Sequence, residues 1–367
     1  MTLFPPSTCP RLVVKVGSAL LVAADGDVRR AWLATLVADV AARCAAGQQV
    51  AIVSSGAIAL GARRLGLARG GRASLEDAQA AAATGQIALS QTWAELLGAH
   101  DLTAAQMLVT LDDLEDRRRY LNAAATLGRL LGLGVVPVIN ENDSVATEEI
   151  RFGDNDRLAA RVAQAAGAPA VVLLSDVDGL YDANPHTNPA ARHIPRVERI
   201  DAVAAMADGG SASGMGSGGM VSKIAAARIA TGAGASLAIA SGRMDHPLAG
   251  ERRHTLFVAE RTASARKAWL SGGLTARGSI HVDAGAARAL AAGGSLLAAG
   301  ATRIDGGFVR GDLVTVEGPA GTIARGLSEY DAGDAARLLG TRSDEQAAIL
   351  GYAPRAALVH RSHLALL

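Results

Sequence analysis

Along the first two thirds of the chain, short unbroken apolar runs alternate with longer stretches whose apolar positions recur every three to four residues. "RLVVKV" (11–16), "QVAIVSS" (49–55), "GVVPVIN" (ending at Asn140) and "AVVLLSD" (170–176) are runs of the first kind. Being short and rich in β-branched residues, they predict strands. Residues 29–46, the Ala-rich region from 74 to about 100, "RRRYLNAAATLGRLLG" and "NDRLAARVAQAAG" carry the helical spacing. Strands apolar on both faces suit a parallel sheet covered by helices on each side, so the expected fold is α/β: a three-layer α/β/α sandwich with a mostly parallel sheet.

The texture then changes twice. "DGGSASGMGSGG" (208–219) is too rich in Gly and Ser to pack, and "MVSKIAAARIATGAG" resumes the helical pattern, so a loop opens a helix there. Beyond residue 275, short apolar stretches such as "GSIHV" and "DLVTVEG" are punctuated by glycine and predict a small β-barrel-like domain with a helix or two. The expected division is a first domain over 1–262, a linker over 263–274 and a second domain over 275–367. A chain of 367 residues exceeds the usual ceiling for one hydrophobic core, which agrees with two domains.

Charge narrows the partners. With 36 basic and 35 acidic residues the formal net charge is +1, so no general pull toward nucleic acid or an anionic membrane is expected. Cys9 and Cys44 form no CxxC pair, no HExxH spacing occurs, and the eight histidines are scattered, so neither a disulfide framework nor a protein-held metal site is expected. No leader pattern and no long apolar span are evident, and a cytoplasmic location is expected.

Only three of the basic residues are lysines, Lys15, Lys223 and Lys267. Where arginine serves nearly everywhere else, a retained lysine points to a place needing a compact ammonium with three rotatable donors. Lys15 lies inside an apolar strand just before Gly17, where a phosphate would account for it; a strand-end lysine reaching for water is the alternative. Lys223 follows the Gly-rich loop by one helical turn, a second place for an anion, although the spacing is not that of a Walker A loop. Ligands of open α/β sheets collect at the carboxyl ends of the strands. "KVGSAL", "SSGAIALG", "NENDSVAT" and "SDVDGLYDANP" are the polar strand exits here. In "GDND", Asp154 suits a helix cap, leaving Asn155 and Asp156 for other work.

Taken in order, "VVKVGSALL", "VSSGAIALG", "DRRRYLNA", "VVPVINENDSVAT", "FGDNDRLAA", "LLSDVDGLYDANP" and "GMGSGGMVSKIAAA" resemble the glutamate 5-kinases of the amino acid kinase family. The C-terminal segment resembles the PUA domain that many of them carry. The resemblance implies phosphorylation of the L-glutamate side-chain carboxylate by ATP with Mg2+, opening proline biosynthesis. It implies catalytic roles for Lys15, Lys223 and Asp156, the last as orienter of a lysine, and substrate binding by Ser55, Asp143 and Asn155. Asp143 would receive the α-ammonium and the Ser55 region a carboxylate. The ATP site would comprise Lys15, Gly17, Ser175, Asp176, Ser217, Gly218, Gly219, Met220, Val221, Ser222 and Lys223. A homo-oligomer (dimer or tetramer), feedback inhibition by L-proline and handover to a glutamyl phosphate reductase are also implied. Ser54, Ser175, Thr84 and Asp182 depart from the family pattern, and Asp182 adds a negative charge near the nucleotide rim.

Two rival readings remain at this stage. The first is another kinase of the same fold, acting on aspartate, N-acetylglutamate, carbamate or a nucleoside monophosphate. The second is RNA binding by the C-terminal domain. From Thr275 onward, however, nine arginines face nine acidic residues with no lysine, so a phosphate-tracking surface is not expected.

Overall fold

The computed structural model describes residues 3–23, 26–145, 155–185, 187–203, 219–259 and 275–367. The expected linker (263–274), Asp154 and the loop residues Ser217 and Gly218 lie outside them. Two units separate: 1–114 with 123–260, and 115–122 with 261–367.

The first unit is organised by eight strands: β1 (Arg11–Val16), β2 (Gln49–Val53), β3 (Ala104–Val109), β4 (Val136–Glu141), β5 (Ala170–Ser175), β8 (Arg196–Val197), β9 (Ser236–Ser241) and β10 (His254–Phe257). A small antiparallel ribbon, β6 (Leu180–Tyr181) with β7 (His193–Ile194), stands apart from that sheet. The strand order is β3-β4-β2-β1-β5-β9-β10-β8. From β3 to β9 every pairing is parallel, and β10 is antiparallel to β9. Both faces of β4 and β5 are buried along their whole length, as unbroken apolar runs require. Each buried Val, Leu or Ile contributes about 1.5–3 kcal/mol relative to exposure.

From β1 the chain passes to β2 on one side, whereas from β5 it passes to β9 on the other. The carboxyl ends of β1 and β5 therefore flank the switch point where ligands of such sheets settle. Gly17 lies just past β1, and its amide donates to the Leu174 carbonyl of β5 at 3.1 Å.

The helices that frame this end are α1 (Ser18–Leu21), α2 (Arg30–Ala45), α3 (Ala57–Leu65), α4 (Leu75–Gly98), α5 (Leu111–Glu115), α6 (Arg117–Gly132), α7 (Asn155–Ala166) and α8 (Met220–Gly232). Helix α3 starts straight from β2 through Gly56, whose φ of 97° is the left-handed conformation glycine adopts without cost. Helix α4 begins at Ser74, whose Oγ accepts from the Asp77 amide at 3.1 Å, with Glu76 and Asp77 complementing the helix dipole. Helices α3 and α4 share a small apolar cluster of Ile58, Ala62, Ala78, Ala81 and Ala82, and at Gly61 and Gly85 they meet backbone to backbone. A Cβ on Gly61 would lie 1.7 Å from the Ala81 carbonyl oxygen, and one on Gly85 would lie 1.8 Å from that of Ala57.

The second unit is a five-stranded sheet, β12 (Ala301–Gly306), β11 (Gly278–Val282), β13 (Leu313–Gly318), β14 (Gly321–Leu327) and β15 (Leu364–Leu366), in that spatial order. Ile280, Val314, Val316 and Phe308 fill its core. Residues 115–122 group with it: Tyr120 meets the ring of His363 edge-on at 5.6 Å, and Arg310 donates to the Asn122 side-chain oxygen.

Candidate active site

Lys15 is the fifth residue of β1, and its side chain is only 8% exposed. An ammonium in that setting needs a counter-charge. Asp156, in the first turn of α7, supplies it: Lys15 Nζ lies 2.7 Å from Asp156 Oδ1, and Lys223 Nζ, from the first turn of α8, lies 2.9 Å from Oδ2. One carboxylate thus orients two buried lysines from different elements. Burial alone would raise the Asp156 carboxyl, but the two ammonium groups prevail and hold it at about 2. Among the described residues two ammonium groups share this one carboxylate, and a pair of cations at a strand-end crevice suits a phosphate.

Asn155 precedes Asp156 and looks the other way into the strand ends. Its Nδ2 donates at 2.6 Å to the Ser54 carbonyl and lies 2.9 Å from both Ser55 Oγ and Asn140 Oδ1. Asn140 in turn donates to Gln86 Oε1 at 2.7 Å, and the indole of Trp93 donates to Ser54 Oγ at 3.0 Å. All six side chains are buried. Asn155 Oδ1 has no hydrogen-bond partner among the described residues. A buried acceptor left open costs about 1–3 kcal/mol, so it calls for a donor from a ligand.

Asp143 follows β4 and is buried; its Oδ1 also lacks a partner among the described residues. Burial pushes its carboxyl up to about 6, with Arg72 pulling modestly the other way. A cavity of about 410 Å³ is lined by Asp143, Glu141, Asn142, Gln86, Gln106 and Ser144, among others. Among the described residues neither lysine nor arginine lines it. Such a cavity suits an ammonium.

The sequence-derived residues therefore fall into two connected groups. Lys15, Asp156 and Lys223 form one, and Asn155 and Ser55 the other, joined through the adjacent Asn155 and Asp156 of α7. Asp143 borders the cavity that Gln86 also lines. Ser175 ends β5 beside Gly17, and the Asp176 carbonyl accepts from Arg243 Nε at 2.9 Å; among the described residues no hydrogen bond or ion pair ties Ser175 or Asp176 to the two groups. Gly219 caps α8, with Met220, Val221 and Ser222 leading to Lys223. Ser217 and Gly218 lie outside the described residues. Gln86 and Trp93 were not among the sequence candidates, and Asn140 was noted only as a strand-exit residue.

These residues fit the phosphates of a nucleotide, with two ammonium groups and the start of α8 converging on one crevice. No cluster of three or more His, Cys, Asp or Glu side chains that could hold a metal ion occurs among the described residues.

A parallel sheet with ligand-poised lysines and carboxylate at its switch point defines a phosphotransferase, and residues 10–241 match the Amino acid kinase family, to which the chain belongs. Residues 278–350 match the PUA domain. Among curated relatives, the "Glutamate 5-kinase" of Sphingopyxis alaskensis is 73% identical over 100% of both chains. That of Novosphingobium aromaticivorans is 64% identical over 98% of this chain and 97% of the relative. That of Zymomonas mobilis subsp. mobilis is 61% identical over 99% of this chain and 93% of the relative.

Proposed function

We propose that this protein transfers the γ-phosphoryl group of ATP to the side-chain carboxylate of L-glutamate, giving L-glutamyl 5-phosphate and ADP, the first step of proline biosynthesis. The observation that carries the reading is the buried Asp156 gripping Lys15 and Lys223 while its neighbour Asn155 binds Ser55. Full-length similarity to proteins named glutamate 5-kinase supports the choice of substrate.

The chemistry asks little of acid–base catalysis. A glutamate side chain, with an ordinary pKa of about 4.3, is already a nucleophilic carboxylate at neutral pH. The obstacle is repulsion between two anions. Lys15 and Lys223 offset it at the transferring phosphoryl group, while Asp156 fixes both ammonium groups so that little reorganisation remains for the transition state. Mg2+, carried in with ATP, would supply positive charge that offsets part of the charge on the phosphates beside Lys15 and Lys223. Ser55 and Asn155 hold the amino acid near the lysines, and Asp143 takes its α-ammonium. Gly17, Ser175 and Asp176, with the segment from Ser217 to Ser222, complete the nucleotide site.

The same reading includes domains at 1–262 and 275–367 joined by 263–274, a homo-oligomer, inhibition by L-proline, delivery to a glutamyl phosphate reductase, and a cytoplasmic location. Among the described residues no helix is long and apolar enough to cross a membrane. The balanced charge of the PUA domain supports a structural or regulatory role over binding of nucleic acid.

A hydroxamate trap for acyl phosphate, run with ATP, Mg2+ and L-glutamate, L-aspartate or N-acetyl-L-glutamate in parallel, tests the substrate. Trapping with L-glutamate alone is expected. Equal or faster trapping with either alternative would overturn the assignment.

A further inference from the structure

The hydrogen-bonded amides running from α7 to α4 have a direction set by one atom. The Ser54 backbone carbonyl can only accept, so the Asn155 atom 2.6 Å from it is the amide nitrogen. That nitrogen also faces the Asn140 side chain, which must therefore present its oxygen. Asn140 then turns its own nitrogen toward Gln86 at 2.7 Å, and Gln86 receives it with Oε1. Gln86 Nε2 is the donor end of this series, on a residue that lines the cavity holding Asp143 and Glu141. Among the described residues neither lysine nor arginine lines that cavity, and Gln86 Nε2 is an N–H donor at its wall that a carboxylate can meet.

Helix packing explains why Gln86 can reach. Gly85, its neighbour, brings α4 onto the backbone of α3 at Ala57, two residues past Ser55. Gln86 stands on the buried face of α4 one heptad before Trp93, which anchors Ser54.

We propose that Gln86 is a substrate-binding residue whose Nε2 donates to the α-carboxylate of the amino acid, while its Oε1 holds Asn140 and, through it, Asn155. The proposal rests on the reading of this cavity as the glutamate site. Asp143 then receives the α-ammonium and Gln86 the α-carboxylate, and the side chain extends toward Ser55 and the lysines.

Gln86→Glu keeps an acceptor for Asn140 but sets a carboxylate against the α-carboxylate. Steady-state kinetics of the full chain with L-glutamate and with L-isoglutamine, which carries an α-carboxamide instead, separates binding from scaffolding. The ratio of kcat/KM for L-glutamate to that for L-isoglutamine should fall at least about a hundredfold, through KM for L-glutamate, with KM for ATP within about twofold. A ratio within about threefold of wild type overturns the proposal, because a merely structural residue lowers both substrates alike. Should this variant fail to fold, or L-isoglutamine give no turnover, Gln86→Met removes the donor without adding charge. Methionine also lacks the Oε1 that holds Asn140, so KM for L-glutamate should rise at least about tenfold with KM for ATP within about twofold; an unmoved KM for L-glutamate overturns the proposal. If wild type releases no ADP with L-glutamate, the glutamate reading itself fails. Wild-type activity with an unmoved ratio and KM sinks Gln86 alone.

Discussion

Replacing Asp156 with asparagine keeps the shape of the side chain and removes the one charge on which two buried ammonium groups converge, at 2.7 and 2.9 Å. Removing one partner of a buried ion pair costs about 3–5 kcal/mol, because the remaining charge stays buried without compensation. A second route gives a similar scale: the carboxyl moves from 3.8 to about 2, which at about 1.4 kcal/mol per pH unit is about 2–3 kcal/mol. The folded-state value lies below the unfolded one. The contribution is therefore complete above pH 3.8, is lost as pH falls through about 2, and is wholly present at neutral pH. Calorimetry at neutral pH should show the unfolding transition of the larger unit lowered by roughly 4–20 °C, at about 2–4 °C per kcal/mol. Saturating ATP should narrow the gap, since its phosphates replace the lost anion beside both lysines. A variant that unfolds within about 1 °C of wild type without nucleotide would refute the reasoning.

Lys15→Arg should lower turnover at least about a hundredfold, because a planar fork cannot occupy the place of a compact ammonium; activity within about tenfold of wild type in an ADP-release assay would count against it. Burial holds the Asp143 carboxyl at about 6, and only its ionised form attracts the α-ammonium. KM for L-glutamate should therefore rise about tenfold per unit as pH falls below 6, and Asp143→Asn should have a higher, flat KM over the same range. A wild-type KM that does not change between pH 7 and 5 would remove Asp143 from this role. Gly85→Ala would place a methyl 1.8 Å from the Ala57 carbonyl oxygen. It should cost about 3 kcal/mol by thermal unfolding and raise KM for L-glutamate as the start of α3 shifts; an unchanged transition would contradict the contact.

Much of the candidate site was legible because its signals are local. Apolar runs marked β1, β2, β4 and β5, the polar residues at their exits marked the crevice, and the scarcity of lysine singled out Lys15 and Lys223. Asn155 and Asp156 stood out as polar residues opening a helix. Gln86 and Trp93 were hidden in a long Ala-rich helix. The available hint was a polar residue on its buried face, at a spacing of 82, 86, 89 and 93 shared with Ala82 and Leu89. What brings that face to the strand ends is the backbone contact at Gly61 and Gly85, and no spacing within one helix discloses which second helix it meets. The antiparallel β10, the short β6–β7 ribbon and the grouping of 115–122 with the second unit likewise depend on long-range pairing.

The meeting of α3 and α4 through bare backbone removes an adjustable part from the molecule. Side-chain size usually lets a lineage widen or narrow the gap between two helices in small increments, but at Gly61 and Gly85 an added Cβ strikes a peptide group. Drift toward a longer or shorter acceptor substrate is thereby steered to the cavity wall, where residues can be exchanged singly without prying the scaffold open.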